Sequence, residues 1–197
     1  MRRLRGWLVL VPASVLIVGL FGSLRGAEGA GPWRAQIVDA ETGQPLEGVV
    51  VVAWWLKYIG GPGGSEARYY AAEEVVTGPD GRFEIPAKIA FNWLPIITEI
   101  RGPEFRVFKP GYDHARTLRP ELTSRGEALG DADLFTLDGV VIALQPLKTR
   151  EDRLKFYRGL SPPPPPIPSD RRRRFDEAID VERKYLGFGP LRREGQR

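Results

Sequence analysis

Ile37-Val38-Asp39-Ala40-Glu41-Thr42-Gly43-Gln44-Pro45-Leu46-Glu47-Gly48-Val49-Val50-Val51-Val52-Ala53-Trp54-Trp55 is the stretch whose reading decides the fold. An apolar run ends in a polar turn, and a β-branched run follows, which is the pattern of strand, turn and strand. Gly43 can take positive φ, and Pro45 sets the direction of the exit. The second run is apolar on both faces, Val49, Val51, Ala53 and Trp55 on one and Val50, Val52 and Trp54 on the other. A strand of that kind is central and covered from both sides. One face is expected to meet an opposite sheet. The other requires a cover from elsewhere in the chain.

Working outward, Trp33 to Asp39 alternates Trp33, Ala35 and Ile37 against Arg34 and Gln36, a half-buried first strand. Val49 to Tyr58 is the second strand, Gly60 to Ser65 a flexible loop, and Arg68 to Thr77 a third strand. Gly78-Pro79-Asp80-Gly81 reads as a tight hairpin that returns through Arg82 to Pro86, with Phe83 and Ile85 facing in. Ala87 to Gly102 is a long connection crossing between sheets. Glu104 to Lys109, His114 to Leu118 and the end of Leu134 to Leu144 are further strands, with Arg119 to Asp133 an excursion loop. Seven short strands separated by turn signals predict an all-β, antiparallel, Ig-like sandwich.

Three segments together, Asp39 to Gly48, Thr77-Gly78-Pro79-Asp80-Gly81-Arg82-Phe83 and Lys109-Pro110-Gly111-Tyr112, resemble the carboxypeptidase regulatory-like domain family. Its members are similar to the transthyretin (prealbumin-like) β-sandwich that follows the catalytic domain in some metallocarboxypeptidases. The resemblance covers roughly Trp33 to Leu147 and implies a seven-stranded transthyretin-like β-sandwich. By analogy it also implies an accessory module rather than an enzyme. Ala87 to Gly102 departs from the family pattern.

Residues 1–30 are expected to be a targeting segment. Arg2, Arg3 and Arg5 precede an uncharged span from Gly6 to Leu24, a basic region followed by an apolar one. Read as a cleaved signal peptide, it offers Ala27-Glu28-Gly29 as the site. Read as an anchor, it is long enough to cross a bilayer at ~18–20 residues. Both readings export the rest of the chain, to the periplasm or the extracytoplasmic face of the inner membrane, because arginines stay on the cytoplasmic side. The chain has no cysteine. That excludes disulfides, zinc–thiolate sites, iron–sulfur clusters, a cysteine nucleophile and a lipidated cysteine.

Composition changes after Leu147. Residues 31–147 carry 11 basic and 16 acidic side chains, net −5, whereas residues 148–197 carry 14 basic and 8 acidic, net +6. Thr149-Arg150-Glu151-Asp152 resembles a capping box, and Leu154, Tyr157 and Leu160 follow at helical spacing. Pro162 to Pro166 is a stiff polyproline spacer. Ser169 or Asp170 is expected to cap a second helix with Phe175, Ala178, Ile179, Glu182, Tyr185 and Leu186 on one face and Gly187 as its stop. The tail of two short helices, residues 148–197, is thus the candidate cover for Val50, Val52 and Trp54.

Candidate chemistry is sparse. His114 is the single histidine, which excludes metal sites built on two or three histidines. Ser65, Ser124, Ser161 and Ser169 lack a nucleophile-elbow context. Asp39, Glu41, Asp80, Asp131 and Asp133 read as solvated turn carboxylates rather than a calcium loop. Tyr157-Arg158-Gly159 is similar to part of the C-terminal motif of hydroxyisourate hydrolase, but Leu160 stands where the serine belongs and that enzyme's several histidines are missing. Trp33, Trp54 and Trp55 lie on strands and read as core. Trp93, beside Phe91, sits in a connection, where an aromatic ring suits a sugar or a protein partner. No catalytic residue, cofactor or metal is expected. The expected function is a non-catalytic, exported accessory or protein-interaction module of the cell envelope. A carbohydrate-binding module is the alternative, and a cryptic hydrolase comes third. The candidate partner-binding residues are Trp93, Phe91, Tyr112 and Arg171, Arg172, Arg173 and Arg174. The arginines suit an anionic membrane surface, and an exported chain makes nucleic acid an unexpected partner.

Overall fold

A computed structural model describes residues 31–61, 64–88, 97–113, 134–160 and 167–191. Six strands lie among them: β1 (Trp33–Asp39), β2 (Val50–Gly61), β3 (Gly64–Val76), β4 (Arg82–Ile85), β5 (Thr98–Phe108) and β6 (Val141–Leu144). Two helices follow, α1 (Arg150–Gly159) and α2 (Arg173–Leu186), with a 3-10 turn at Ser169–Arg171. The strands form two three-stranded sheets, β4-β1-β6 and β3-β2-β5. The chain is mostly β. The expected strand His114 to Leu118, the targeting segment and most of the connection after Ala87 lie outside the described residues.

β2 is central, as its two apolar faces require. Val49, Val51, Ala53 and Trp55 share one core with Trp33, Ile37, Phe83, Ile85, Phe105, Ile142 and Leu144, so both sheets contribute to it. Aromatic rings knit it together edge to face: Trp33 on Trp55 at 5.6 Å, Phe105 on Phe135 at 4.7 Å and Phe83 on Phe135 at 5.5 Å between ring centroids.

Two expectations about connectivity are corrected. The turn at Gly78–Gly81 is not a hairpin closing β3 onto β4, because β4 pairs with β1 in the other sheet, Ala35 opposite Phe83. Two contacts direct that crossing. The buried Thr77 hydroxyl donates to the Leu46 carbonyl at 2.6 Å and accepts from the Val49 amide at 2.9 Å, holding the end of β3 beside the start of β2. Gly81, at φ 69°, then accepts the Ile37 amide on its carbonyl, and a Cβ there would stand 2.3 Å from the Ile37 oxygen. Only glycine fits. The second correction is that the sheets are not wholly antiparallel: β1 and β6 run parallel, Gln36 opposite Val141 through Asp39 opposite Leu144. A tight turn would force the antiparallel sense, but nearly the whole β region separates these strands. The connection read from Ala87 to Gly102 also ends earlier than expected, because β5 begins at Thr98.

The tail covers the second face of β2. Val50, Val52, Trp54 and Leu56, with Ala72 and Phe108, form a second core with Ile167, Phe175 and Ile179. Phe108 lies 5.6 Å from Phe175 and 6.4 Å from Phe156 between ring centroids. α1 starts where its capping sequence says: the Thr149 hydroxyl accepts the Asp152 amide at 3.0 Å. Gly187, at φ 84°, ends α2. The start of α2 differs from the expectation. Ser169 and Asp170 fall in the 3-10 turn, and Arg172, at the N-cap, contributes no side-chain cap. Glu74 of β3 supplies it instead, accepting the Arg174 amide at 3.0 Å and the Phe175 amide at 2.7 Å. A carboxylate at a helix N-terminus is favourable for hydrogen bonding and for the helix dipole alike. Tyr185, expected on the buried face, is 49% exposed. The Arg153 guanidinium covers its ring at 3.5 Å.

A second clamp is ionic. Glu182 is 1% exposed. It accepts from the Arg153 guanidinium, with Nε at 2.8 Å and a second bond from Nη2, and from the Gly111 amide at 2.9 Å. One carboxylate thus ties α2 to α1 and to the turn after β5. Breaking a buried pair from one side strands the partner's charge, whereas replacing both partners by apolar groups is often neutral. Glu182→Ala is therefore expected to lower unfolding free energy by about 3–5 kcal/mol, and Glu182→Leu with Arg153→Met to restore most of it, measured by urea denaturation. Equal losses in both variants contradict the assignment. Truncation after Leu147 is expected to lower the thermal midpoint and red-shift tryptophan fluorescence as Trp54 meets water. An unchanged midpoint would show that the cover is dispensable.

Candidate functional site

With α1 and α2 on the second sheet, the outer face of β4-β1-β6 is a sheet surface left open among the described residues. Strand alternation decides what it presents. β1 turns Trp33, Ala35 and Ile37 inward and Arg34 and Gln36 outward; β4 turns Phe83 and Ile85 inward and Arg82 and Glu84 outward. The register sets Arg34 opposite Glu84 and Gln36 opposite Arg82. These four side chains line a groove of about 620 Å³, together with Val141, Asp80, Asp138 and Gly139.

The groove is organised by hydrogen bonds. Arg34 Nε donates to Glu84 Oε2 at 3.1 Å. Gln36 Nε2 donates to the Asp80 carbonyl at 2.9 Å, and the Asp80 carboxylate accepts the Arg82 amide at 3.0 Å. Both partners of the Arg34–Glu84 pair are more than half exposed, so the pair contributes little to stability and stays available to a ligand. The lining contains no serine, threonine, histidine or cysteine, and its one ring, Phe83, is buried in the core. The arrangement can hold a partner of mixed charge. It offers neither a nucleophile of those types nor an exposed ring for a sugar.

The residues singled out from sequence do not converge on this groove. Tyr112 is half-buried and acts as a strut: its hydroxyl donates to Asp39 Oδ2 at 3.0 Å, while Asp39 Oδ1 accepts the Glu41 and Thr42 amides at 2.8 and 2.9 Å. The basic run is divided. Arg171 and Arg173 are exposed, near Asp170 and Glu177. Arg172 turns inward toward Asp176, beside Val52, Trp54 and Phe175. Arg174 is exposed, with its amide on Glu74. Trp33, Trp54 and Trp55 are buried. Trp93, Phe91 and His114 lie outside the described residues, as do Asp131 and Asp133. Among the described residues no group of three His, Cys, Asp or Glu side chains could hold a metal ion, and no helix is long and apolar enough to cross a membrane. The groove residues were visible in the alternation of β1 and β4. Their convergence was not, because it depends on β4 leaving β3 for β1.

The Thr42 amide is the main influence holding the Asp39 carboxyl below the usual carboxylate range; burial opposes it, and the Glu41 amide and Tyr112 hydroxyl assist. Burial, with the hydrogen bond to Asp39, pushes the Tyr112 phenol up. A carboxyl depressed in the folded state stabilises fully above its unfolded pKa, about 4, and loses that contribution as pH falls through the folded value. Tyr112→Phe is expected to raise the Asp39 pKa in a carboxyl NMR titration and to move the acid-unfolding midpoint to higher pH. An unchanged Asp39 titration removes Tyr112 from the strut.

No family model, curated protein or solved structure matches the chain.

Proposed function

We propose that the chain is a non-catalytic accessory module of the cell envelope, exported to the periplasm or held at the extracytoplasmic face of the inner membrane, that binds a protein partner. On this reading it is a transthyretin-like β-sandwich of the carboxypeptidase regulatory-like kind, with the helical tail added as a permanent cover. The observation that carries the reading is the asymmetry of the two sheets: one outer face is sealed by the tail, and the other keeps an open groove of paired charges. Arg34 and Arg82 offer guanidinium donors for carboxylates, and Glu84 and Asp138 offer acceptors for basic groups. Such complementarity favours specificity over raw affinity. A protein segment carrying both signs fits this lining better than a sugar, which would want an exposed ring.

The test is an affinity capture from envelope extracts, run in parallel with the unsubstituted chain and with Arg82→Glu. Arg82 is exposed, so its reversal should leave the thermal midpoint within about a degree or two, in keeping with surface substitutions. The expected outcome is one protein retained by the unsubstituted chain and lost, with at least a tenfold weaker Kd, in Arg82→Glu. Recovery of the same protein by both chains, or binding to a glycan array with no protein retained, overturns the proposal.

A further inference from the structure

The exposed side of α2 carries a second surface. Phe175, Ile179, Glu182 and Leu186 face the body of the protein. Arg173, Val181 and Lys184 are exposed on the opposite arc at 3.6 residues per turn, Arg174 and Tyr185 are exposed at its flank, and Phe188 is exposed just past the helix end at Gly187. Val181 is 58% exposed, Tyr185 49% and Phe188 40%. Val181 stands out from the convex helix, Tyr185 keeps one side exposed with Arg153 against its ring, and Phe188 keeps its outer part exposed while stacked on Tyr157; set among three cations, they form no concave site for a peptide or a small molecule. They match the chemistry of a bilayer interface, where aromatic rings sit at headgroup depth and cations meet lipid phosphates. Glu177 and Asp180 are the acids of this arc; Arg173 stands 3.5 Å from Glu177, and the Asp180 carboxylate accepts the Leu191 amide at 2.6 Å.

Charge distribution points the same way. The tail is net +6 and residues 31–147 are net −5, so an anionic surface attracts the tail and repels the sheets. From the placement of these side chains we infer that the outer arc of α2 rests on an anionic phospholipid bilayer. The contact uses Arg173, Arg174 and Lys184 for phosphates and Val181, Tyr185 and Phe188 for the headgroup layer. Arg172, the most inward of the arginine run, takes no part. This surface is separate from the groove on β4-β1-β6, so the two inferences stand or fall independently.

The absence of cysteine permits a local readout that the N-terminal apolar stretch cannot mimic. Val181→Cys in the full chain is labelled with an environment-sensitive fluorophore and titrated with vesicles of phosphatidylcholine alone or of equal parts phosphatidylcholine and phosphatidylglycerol. A blue shift is expected with the anionic vesicles only, reversed by high salt. Arg173→Gln, Arg174→Gln and Lys184→Gln together should weaken the partition roughly a hundredfold, with the far-UV spectrum and thermal midpoint preserved. Arg171→Gln, outside the arc, should leave the partition unchanged. The inference is overturned if the label keeps its aqueous emission on anionic vesicles. It is also overturned if neutral vesicles shift the emission equally, if the triple variant partitions as well as the parent, or if poly-glutamate shifts it and vesicles do not, which would assign the arc to an acidic protein.

Discussion

A single strand without a polar face governs this molecule. β2 presents Val51, Ala53 and Trp55 to one side and Val50, Val52 and Trp54 to the other, and all six are buried. Each large apolar side chain left in water would cost about 1.5–3 kcal/mol, and a domain's whole stability is on the order of 5–15 kcal/mol. One uncovered face of β2 would therefore consume most of the margin. The chain meets the first face with the β4-β1-β6 sheet and the second with its own C-terminal helices. Without cysteines, both covers are held by packing and hydrogen bonds.

The polar contacts around the tail orient it more than they bind it. Ile167, Phe175 and Ile179 supply the apolar contact, which by itself is non-directional. Direction comes from two carboxylates. Glu74 receives the first amides of α2, and Glu182 receives Arg153 and Gly111 at the other end. A helix pinned at both ends cannot slide along the sheet. Exposed pairs such as Arg68–Glu66 and Arg101–Glu99 lie in water, where solvent screens them, and contribute little.

The two-sided apolarity of β2, the cap at Thr149 and the stop at Gly187 were legible in the sequence because each rests on neighbouring residues alone. Strand alternation likewise named the inward side chains of β1 and β4. It could not name their neighbours. Whether β4 pairs with β3 or β1 turns on the Thr77 latch and on Gly81 passing close to Ile37, and both contacts join distant segments. The start of α2 was misplaced for the same reason: its cap, Glu74, stands 100 residues before the amide it receives. Ser169 and Asp170 were the nearer candidates by local rules. The groove stayed hidden because Arg34, Gln36, Arg82 and Glu84 converge only once β1 and β4 are adjacent. The arginine run looked uniform as text. On the helix it divides, since successive residues turn by about 100° and Arg172 meets Trp54 while its neighbours meet water.

If the helices are an obligate cover for β2, the fold cannot open there without opening everywhere. Native-state amide hydrogen exchange tests this most directly, because it reads the opening free energy of each element in the intact chain. The account predicts that the central amides of α2, around Ile179 and Glu182, exchange with the same opening free energy as those of β2 around Val52, and with the same denaturant dependence. An α2 that exchanges through a separate opening several kcal/mol below that of β2 would contradict it, and would make the tail an accessory to a core able to stand alone.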